Sequence, residues 1–157
     1  MQPSAPSYDE RLTAPGSWWV IAALLGLSGG LVMFPLGNVP TLAGVIVAGA
    51  LAAMGVSSYG SARIRVVAGS LVAGEARIPA SALGAPEVLD AEEARAWRTY
   101  KSDPRAFMLM RGYIDRAVRI EVTDPQDPTP YVYLSTRDPE ALAAALETVR
   151  AEAVKEG

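Results

Sequence analysis

Residues 12–62 read LTAPGSWWVIAALLGLSGGLVMFPLGNVPTLAGVIVAGALAAMGVSSYGSA, a run of 51 positions without one charged side chain. Arg11 precedes the run, and Arg63 and Arg65 follow it. A soluble domain of this size exposes most of its chain to water and carries charge along its whole length. The run therefore indicates that the N-terminal part of the chain lies in lipid.

The uncharged run divides at its centre into two predicted spans. Pro35 and Pro40 enclose Gly37 and Asn38, a combination typical of turns. The spans are then residues 18–34 and 41–59, which at about 1.5 Å per residue reach roughly 25–29 Å, close to a hydrocarbon core of about 30 Å. We predict a transmembrane helical hairpin within residues 13–61, preceded by a disordered, juxtamembrane N-terminus at residues 1–12.

Two other interpretations of the run fit the sequence less well. A hairpin buried in a soluble core would need more amphipathic chain around it than 157 residues provide. A cleaved signal peptide fits Arg11 and the apolar stretch after it, but no Ala-x-Ala site follows the first span and a second span begins within six residues. Membrane insertion remains the prediction.

Positive charges flank the two spans: Arg11 precedes them, and Arg63, Arg65 and Arg77 follow them. The turn between the spans has no positive charge. By the positive-inside rule both termini lie in the cytoplasm, so we predict a multi-pass protein of the cell (plasma or inner) membrane. Trp18, Trp19 and Tyr59 lie at the cytoplasmic ends of the spans, where amphipathic rings settle at headgroup depth.

Small residues recur at helical spacing in both spans: Gly26, Gly30, Gly44, Ala48 and Ala52. Such positions let two helix backbones approach closely, which is how helices associate in lipid. The simplest partner is the other helix of the hairpin, and a homo-oligomer would use the same positions. Neither span carries an ionisable residue, which argues against an ion pore or transporter.

Residues 62–157 predict one small cytoplasmic, β-rich domain. Short alternating segments separated by glycine occupy residues 63–79, and residues 90–101 have a helical pattern. Residues 117–123 and 131–135 are predicted strands, the second with either its tyrosines or Val132 and Leu134 buried. An amphipathic helix then covers residues 138–154.

Strands followed by one terminal helix predict an α+β fold: a small antiparallel β-sheet or barrel with a C-terminal helix. This order of elements over residues 62–154, together with LVAGEARIP at residues 71–79, resembles the pleckstrin-homology-like fold. The resemblance implies a curved sheet closed by the terminal helix.

Four segments resemble a family of small, uncharacterised actinobacterial membrane proteins, domain of unknown function 3093: YDERL (8–12), WW (18–19), YGSARI (59–64) and DPTPYVYLSTR (127–137). The resemblance covers nearly the whole chain. It implies a two-span membrane protein and carries no activity, cofactor or catalytic residue to this sequence.

Charge in the predicted domain is unevenly distributed. Residues 95–119 contain seven basic and two acidic side chains, whereas residues 120–157 contain three basic and eight acidic ones. The basic segment could lie on the anionic inner leaflet, where each cation contributes about 1 kcal/mol. The candidate lipid-facing residues are Arg98, Lys101, Arg105 and Arg111. The alternative is that the interleaved aromatic residues are core and the cations are a solvated face.

The composition excludes most catalytic and metal chemistry. The chain has no histidine and no cysteine, and hence neither the commonest general base nor a thiolate nucleophile. We predict no enzyme activity, no cofactor and no metal, and the net charge of −3 argues against nucleic acid as a partner. Two hypotheses remain: a membrane-anchored module that docks a protein partner, and recognition of anionic lipid headgroups by residues 95–119.

Overall fold

A computed structural model describes residues 7–156 of the chain. The chain forms two compact units. One consists of residues 11–62, and the other combines the segment that ends at residue 10 with residues 63–157. Residues 1–6, which belong to the predicted disordered N-terminus, lie outside the described residues.

The first unit is a hairpin of two long helices, α1 (Gly16–Met33) and α2 (Asn38–Tyr59), joined through a short 3-10 turn at Phe34–Leu36. Both helices are long and apolar enough to cross a membrane, by length and composition. α2 starts three residues before the predicted span because Pro40 falls in its first turn, where a helix does not need the backbone N–H that proline lacks.

The second unit contains two four-stranded sheets. The first has the order β1-β2-β3-β4, and its strands are β1 (Tyr8–Arg11), β2 (Arg63–Val67), β3 (Ser70–Ala73) and β4 (Ala76–Pro79). β2, β3 and β4 form an antiparallel meander, as the glycine-separated pattern predicts. Ala68 and Gly69 form the two-residue turn between β2 and β3 with φ of 47° and 66°, the conformation that suits a tight hairpin.

The second sheet has the order β5-β7-β8-β6, and its strands are β5 (Leu83–Leu89), β6 (Phe107–Leu109), β7 (Ala117–Val122) and β8 (Tyr131–Ser135). β7 pairs antiparallel with both β5 and β8. β6 pairs with β8 in parallel, so this sheet is mixed rather than purely antiparallel. Every residue of β8 is buried. The sequence predicts burial of either the two tyrosines or Val132 and Leu134, and both pairs are buried, one on each face of the strand.

Two helices complete the second unit, α3 (Ala91–Arg98) and α4 (Pro139–Glu156). α4 packs on β5, β7 and β2, and it buries Leu142, Leu146 and Val149. α3 lies over the tyrosine face of β8, where Leu89, Ala94, Ala117, Tyr131 and Tyr133 form a buried cluster.

β1 is the main departure from the sequence prediction, which treats residues 1–12 as a disordered, juxtamembrane N-terminus and includes no strand there. Ser7 N–H donates to the carbonyl of Val66 at 2.9 Å, and Arg63 Nε donates to Asp9 Oδ1 at 2.6 Å, so β1 runs along the edge of β2. The domain is thus discontinuous: it begins before the hairpin and resumes after it. No alternating apolar pattern marks Tyr-Asp-Glu-Arg, because one face of this edge strand is held by polar bonds.

The α+β class is confirmed: two long apolar helices are followed by antiparallel and mixed sheets and a C-terminal helix. The pleckstrin-homology-like closure stays a prediction.

Candidate functional site

The basic segment, residues 95–119, extends over α3, β6 and the start of β7. Arg105, Arg116 and Arg119 of this segment are paired with carboxylates. Arg105 bonds Asp103 at 3.0 Å, Arg116 bonds Glu140, and Arg119 bonds Glu87 at 3.0 Å. The pairing leaves the surface less positive than the sequence count suggests.

Arg119 is part of the interior rather than of a charged face, since its side chain is only 16% exposed. Its guanidinium carbon lies 4.3 Å from the centroid of the Trp97 ring and 5.0 Å from that of Tyr131. The two rings meet edge to face at 5.3 Å. Glu87 and Glu121 each accept a bond from the guanidinium at 3.0 Å. Arg119 therefore joins α3 to the sheet and is not available to a ligand.

α3 owes its position to Asp90, whose carboxylate accepts hydrogen bonds from the backbone N–H groups of Glu92 and Glu93 at 2.9 Å each. The cap satisfies two of the N–H groups that a helix start leaves open. Arg95 and Arg98 follow in the last turn, where cations complement the helix dipole.

The four candidate lipid-facing residues occupy different environments. Lys101 is exposed, with Nζ 5.6 Å from the centroid of Trp97, and Arg105 is exposed but paired with Asp103. Arg98 is half-buried near Tyr133, whose phenol has a pKa raised by burial, and the Arg98 charge partly opposes that rise. Arg111 is half-buried and donates from Nη1 to the Met110 carbonyl at 2.8 Å.

β6 lies between these cations at one end of the second sheet. It pairs with β8 along one side, and within the described residues no strand pairs with its other side. Met108 packs on the buried cluster under α3, and Phe107 and Leu109 are half-buried. The site thus combines an open strand edge, an adjacent helix and several cations.

A second polar site joins the two ends of the β-rich unit. Tyr8 Oη donates to Glu10 Oε2 at 2.8 Å and lies 2.9 Å from Thr136 Oγ1. Thr136 Oγ1 also bonds Glu10 Oε2 at 2.5 Å, and the Arg137 N–H donates to Glu10 Oε1 at 3.0 Å. Glu10 is only 13% exposed, so its carboxylate is hydrogen-bonded to these protein donors instead of to water. We refer to Tyr8, Glu10, Thr136 and Arg137 as the β1 clamp.

Burial of the β1 clamp has an electrostatic consequence. Desolvation raises the pKa of the Tyr8 phenol above its ordinary value, and the neighbouring Glu10 carboxylate acts in the same direction. The exposed Asp9 differs, since the Arg63 guanidinium beside it lowers the pKa of its carboxyl. The role of Tyr8 and Glu10 was missed from the sequence, although YDERL and the Ser-Thr-Arg of residues 135–137 both lie in the segments that resemble a family.

The hairpin residues singled out from the sequence lie mostly between the two helices. A Cβ on Gly26 would lie 3.1 Å from the Gly49 Cα, and one on Gly44 would lie 2.5 Å from the Gly29 carbonyl oxygen. A Cβ on Gly30 would overlap the Val45 side chain. These helices therefore approach too closely for larger side chains. Ala48 and Ala52 are half-buried on α2.

Two of the predicted interface aromatics contact each other. The rings of Trp18 and Tyr59 stack at 5.3 Å with an interplanar angle of 8°. Trp19 is 47% exposed beside them. An apolar groove of about 540 Å³ also runs along the hairpin, lined by residues such as Val32, Ala43 and Leu51, and its lining suits hydrocarbon rather than a polar ligand.

Within residues 7–156, no group of three or more acidic, histidine or cysteine side chains is arranged to hold a metal ion. Comparison with known proteins identifies a family of unknown function. The family model described as "Protein of unknown function (DUF3093)" matches residues 7–146. No curated protein and no solved structure matches the chain.

Proposed function

Since the chain belongs to the family of proteins of unknown function DUF3093, we propose a role from its own structure: a non-enzymatic, membrane-anchored interaction module that docks a protein partner at the inner leaflet of the cell membrane. Its non-enzymatic character rests on the composition, which lacks histidine and cysteine.

The exposed apolar surface of the hairpin supports the proposal that it anchors the protein in a membrane. Leu31, Val39 and Leu51 are 74%, 80% and 63% exposed, and their neighbours on both helices are similar. A soluble monomer does not present a continuous apolar surface of this kind to water. Lipid is the solvent that such helices require, because their backbone hydrogen bonds are already satisfied internally.

The discontinuous domain supports the proposed topology. Residues 10 and 63 belong to one compact unit, which must lie on one side of a bilayer. The chain between them therefore crosses an even number of times, which two helices satisfy. Arg11, Arg63 and Arg65 favour the cytoplasm for that side.

Single cysteines test this topology without interference, because the natural chain has none. Asn38→Cys at the start of α2 should react with a membrane-impermeant maleimide on intact cells, and Glu75→Cys between β3 and β4 should react only after permeabilisation. Equal labelling of both positions before permeabilisation would refute the proposed topology.

The surface around α3 and β6 supports docking of a protein partner. Tyr100 is 81% exposed next to Lys101, and Met110 is 39% exposed at the end of β6. Exposed aromatic and methionine side chains beside cations are typical of protein interfaces. Photo-crosslinking from Tyr100 in native membranes should give one stoichiometric adduct that a crosslinker at Glu75 does not give. Adducts absent from both positions would count against docking.

Recognition of anionic lipid headgroups by residues 95–119 is the second candidate. The observation in its favour is the run of cations on and after α3, since Arg95 and Lys101 are both exposed. The full chain in nanodiscs containing phosphatidylglycerol should then show slower amide exchange at residues 95–111 than in pure phosphatidylcholine. Replacement of Arg98, Lys101, Arg105 and Arg111 by alanine should abolish that difference. Equal amide exchange in the two kinds of nanodisc would exclude recognition of anionic lipid by this segment.

A further inference from the structure

We propose that the free edge of β6 binds an acidic, extended segment of the partner protein and adds it to the second sheet as a further strand. The inference rests on the proposed docking function and names its surface and the chemistry of the partner. The occupant is recognised through backbone hydrogen bonds and through opposite charge.

Three of the four sheet edges carry features that discourage another strand. β5 contains Pro86 and a register shift between Leu83 and Pro86. β4 contains Arg77 and ends at Pro79, and β1 reads Tyr-Asp-Glu-Arg. Charge, proline and irregular register are the usual means by which proteins protect strand edges.

β6 has none of these three features, and its length of three residues makes the open edge short. Residues 107–110 read Phe-Met-Leu-Met, without charge or proline. Backbone N–H and C=O groups alternate between the two sides of a strand, so those that do not face β8 point to the free side. An added strand would satisfy these groups and would cover the half-buried Phe107 and Leu109.

The positive charges around this edge favour binding of an acidic segment. Lys101 and Arg105 precede the strand and Arg111 follows it, whereas Asp103 is the single carboxylate in residues 94–114. Asp103 is already paired with Arg105, and both Lys101 and Arg105 remain exposed. A segment with glutamate or aspartate at its ends would meet cations at both ends of β6.

The test uses the full chain in phosphatidylcholine nanodiscs and a fluorescent peptide of alternating glutamate and valine. A peptide of alternating lysine and valine is the charge control. The acidic peptide should bind and should slow amide exchange within residues 107–110, and the basic peptide should do neither.

Matched charge reversals test the cations. Lys101→Glu with Arg105→Glu should weaken binding of the acidic peptide about tenfold. Arg65→Glu with Arg77→Glu makes the same change in charge at exposed arginines of the first sheet and should change affinity by less than about twofold. Unchanged exchange in β7 and β8 shows that each variant is folded.

Several results would overturn the inference. They are equal binding of the two peptides, exchange protection elsewhere than residues 107–110, self-association that protects β6 without peptide, and protection of β6 by anionic lipid alone. A crosslinker at Met110 separates this inference from the function on which it rests. Capture of a partner at Tyr100 but not at Met110 would refute binding at the β6 edge and leave the docking proposal intact. Capture at neither position would refute the docking proposal itself.

Discussion

Glu10 connects β1 to the segment that follows β8. Its carboxylate receives bonds from the Tyr8 hydroxyl, the Thr136 hydroxyl and the Arg137 N–H, and its side chain is only 13% exposed. Loss of the charge would weaken all of these bonds and leave buried donors poorly matched.

We therefore expect Glu10→Gln to lower the free energy of unfolding of the β-rich unit by about 1–3 kcal/mol. Pulse proteolysis of the detergent-solubilised chain in a urea series measures the change. Glu75→Gln, on an exposed turn, is the matched control and should leave the urea midpoint unchanged. Equal midpoints for both variants would show that the β1 clamp contributes nothing to stability.

Tyr8 makes the attachment of β1 sensitive to alkaline pH. The pKa of its phenol is raised in the folded chain, so the folded state favours the neutral form more than the unfolded state does. This contribution to stability is complete below the unfolded pKa of about 10 and decreases as the pH rises above it. Amide exchange at residues 8–10 should therefore accelerate above about pH 10 beyond its intrinsic rate. Tyr8→Phe should remove the additional acceleration, and an identical pH profile in both proteins would contradict the assignment.

At the scale of the helices, close backbone packing holds α1 against α2. A Cβ on Gly29 would lie 2.5 Å from the Ala48 Cβ and 2.6 Å from the Gly44 carbonyl oxygen, whereas a Cβ on Gly55 would meet nothing within 4 Å. Alanine substitution of Gly29 and of Gly55 therefore compares a tightly packed position with an open one.

We expect Gly29→Ala to separate the helices, and Gly55→Ala to be neutral or to stabilise α2 by up to about 1 kcal/mol through helix propensity. Spin labels at Leu27→Cys and Ile46→Cys, both exposed, would report the separation in nanodiscs. A longer mean distance in Gly29→Ala alone is the expected result. An unchanged distance would mean that these glycines do not control the packing.

The elements that sequence reasoning identified are those with strong periodicity or caps. The hairpin, β7, β8 and α4 were all predicted within a few residues of their observed bounds. β6 was missed because it has only three residues, and β5 because Pro86 interrupts its alternation. The cations of the candidate site could be predicted as a segment. Their pairing could not, because Glu87 and Glu140 come from distant parts of the chain.

At the scale of the whole molecule, the hairpin is an insertion in a folded domain. Replacing residues 12–62 by a linker of about four residues should give a soluble, folded protein in which β1 still pairs with β2. Residues 63–157 alone should be less stable, because they lack β1 and the β1 clamp. Urea midpoints of the two proteins measure the difference. Equal midpoints would show that β1 is dispensable.

The same insertion determines the order in which the protein can be made. Translation produces β1 before either apolar helix exists, and its neighbour β2 emerges only after both have left the ribosome. Under the proposed topology, the first sheet can therefore close only after both helices of the hairpin have been made.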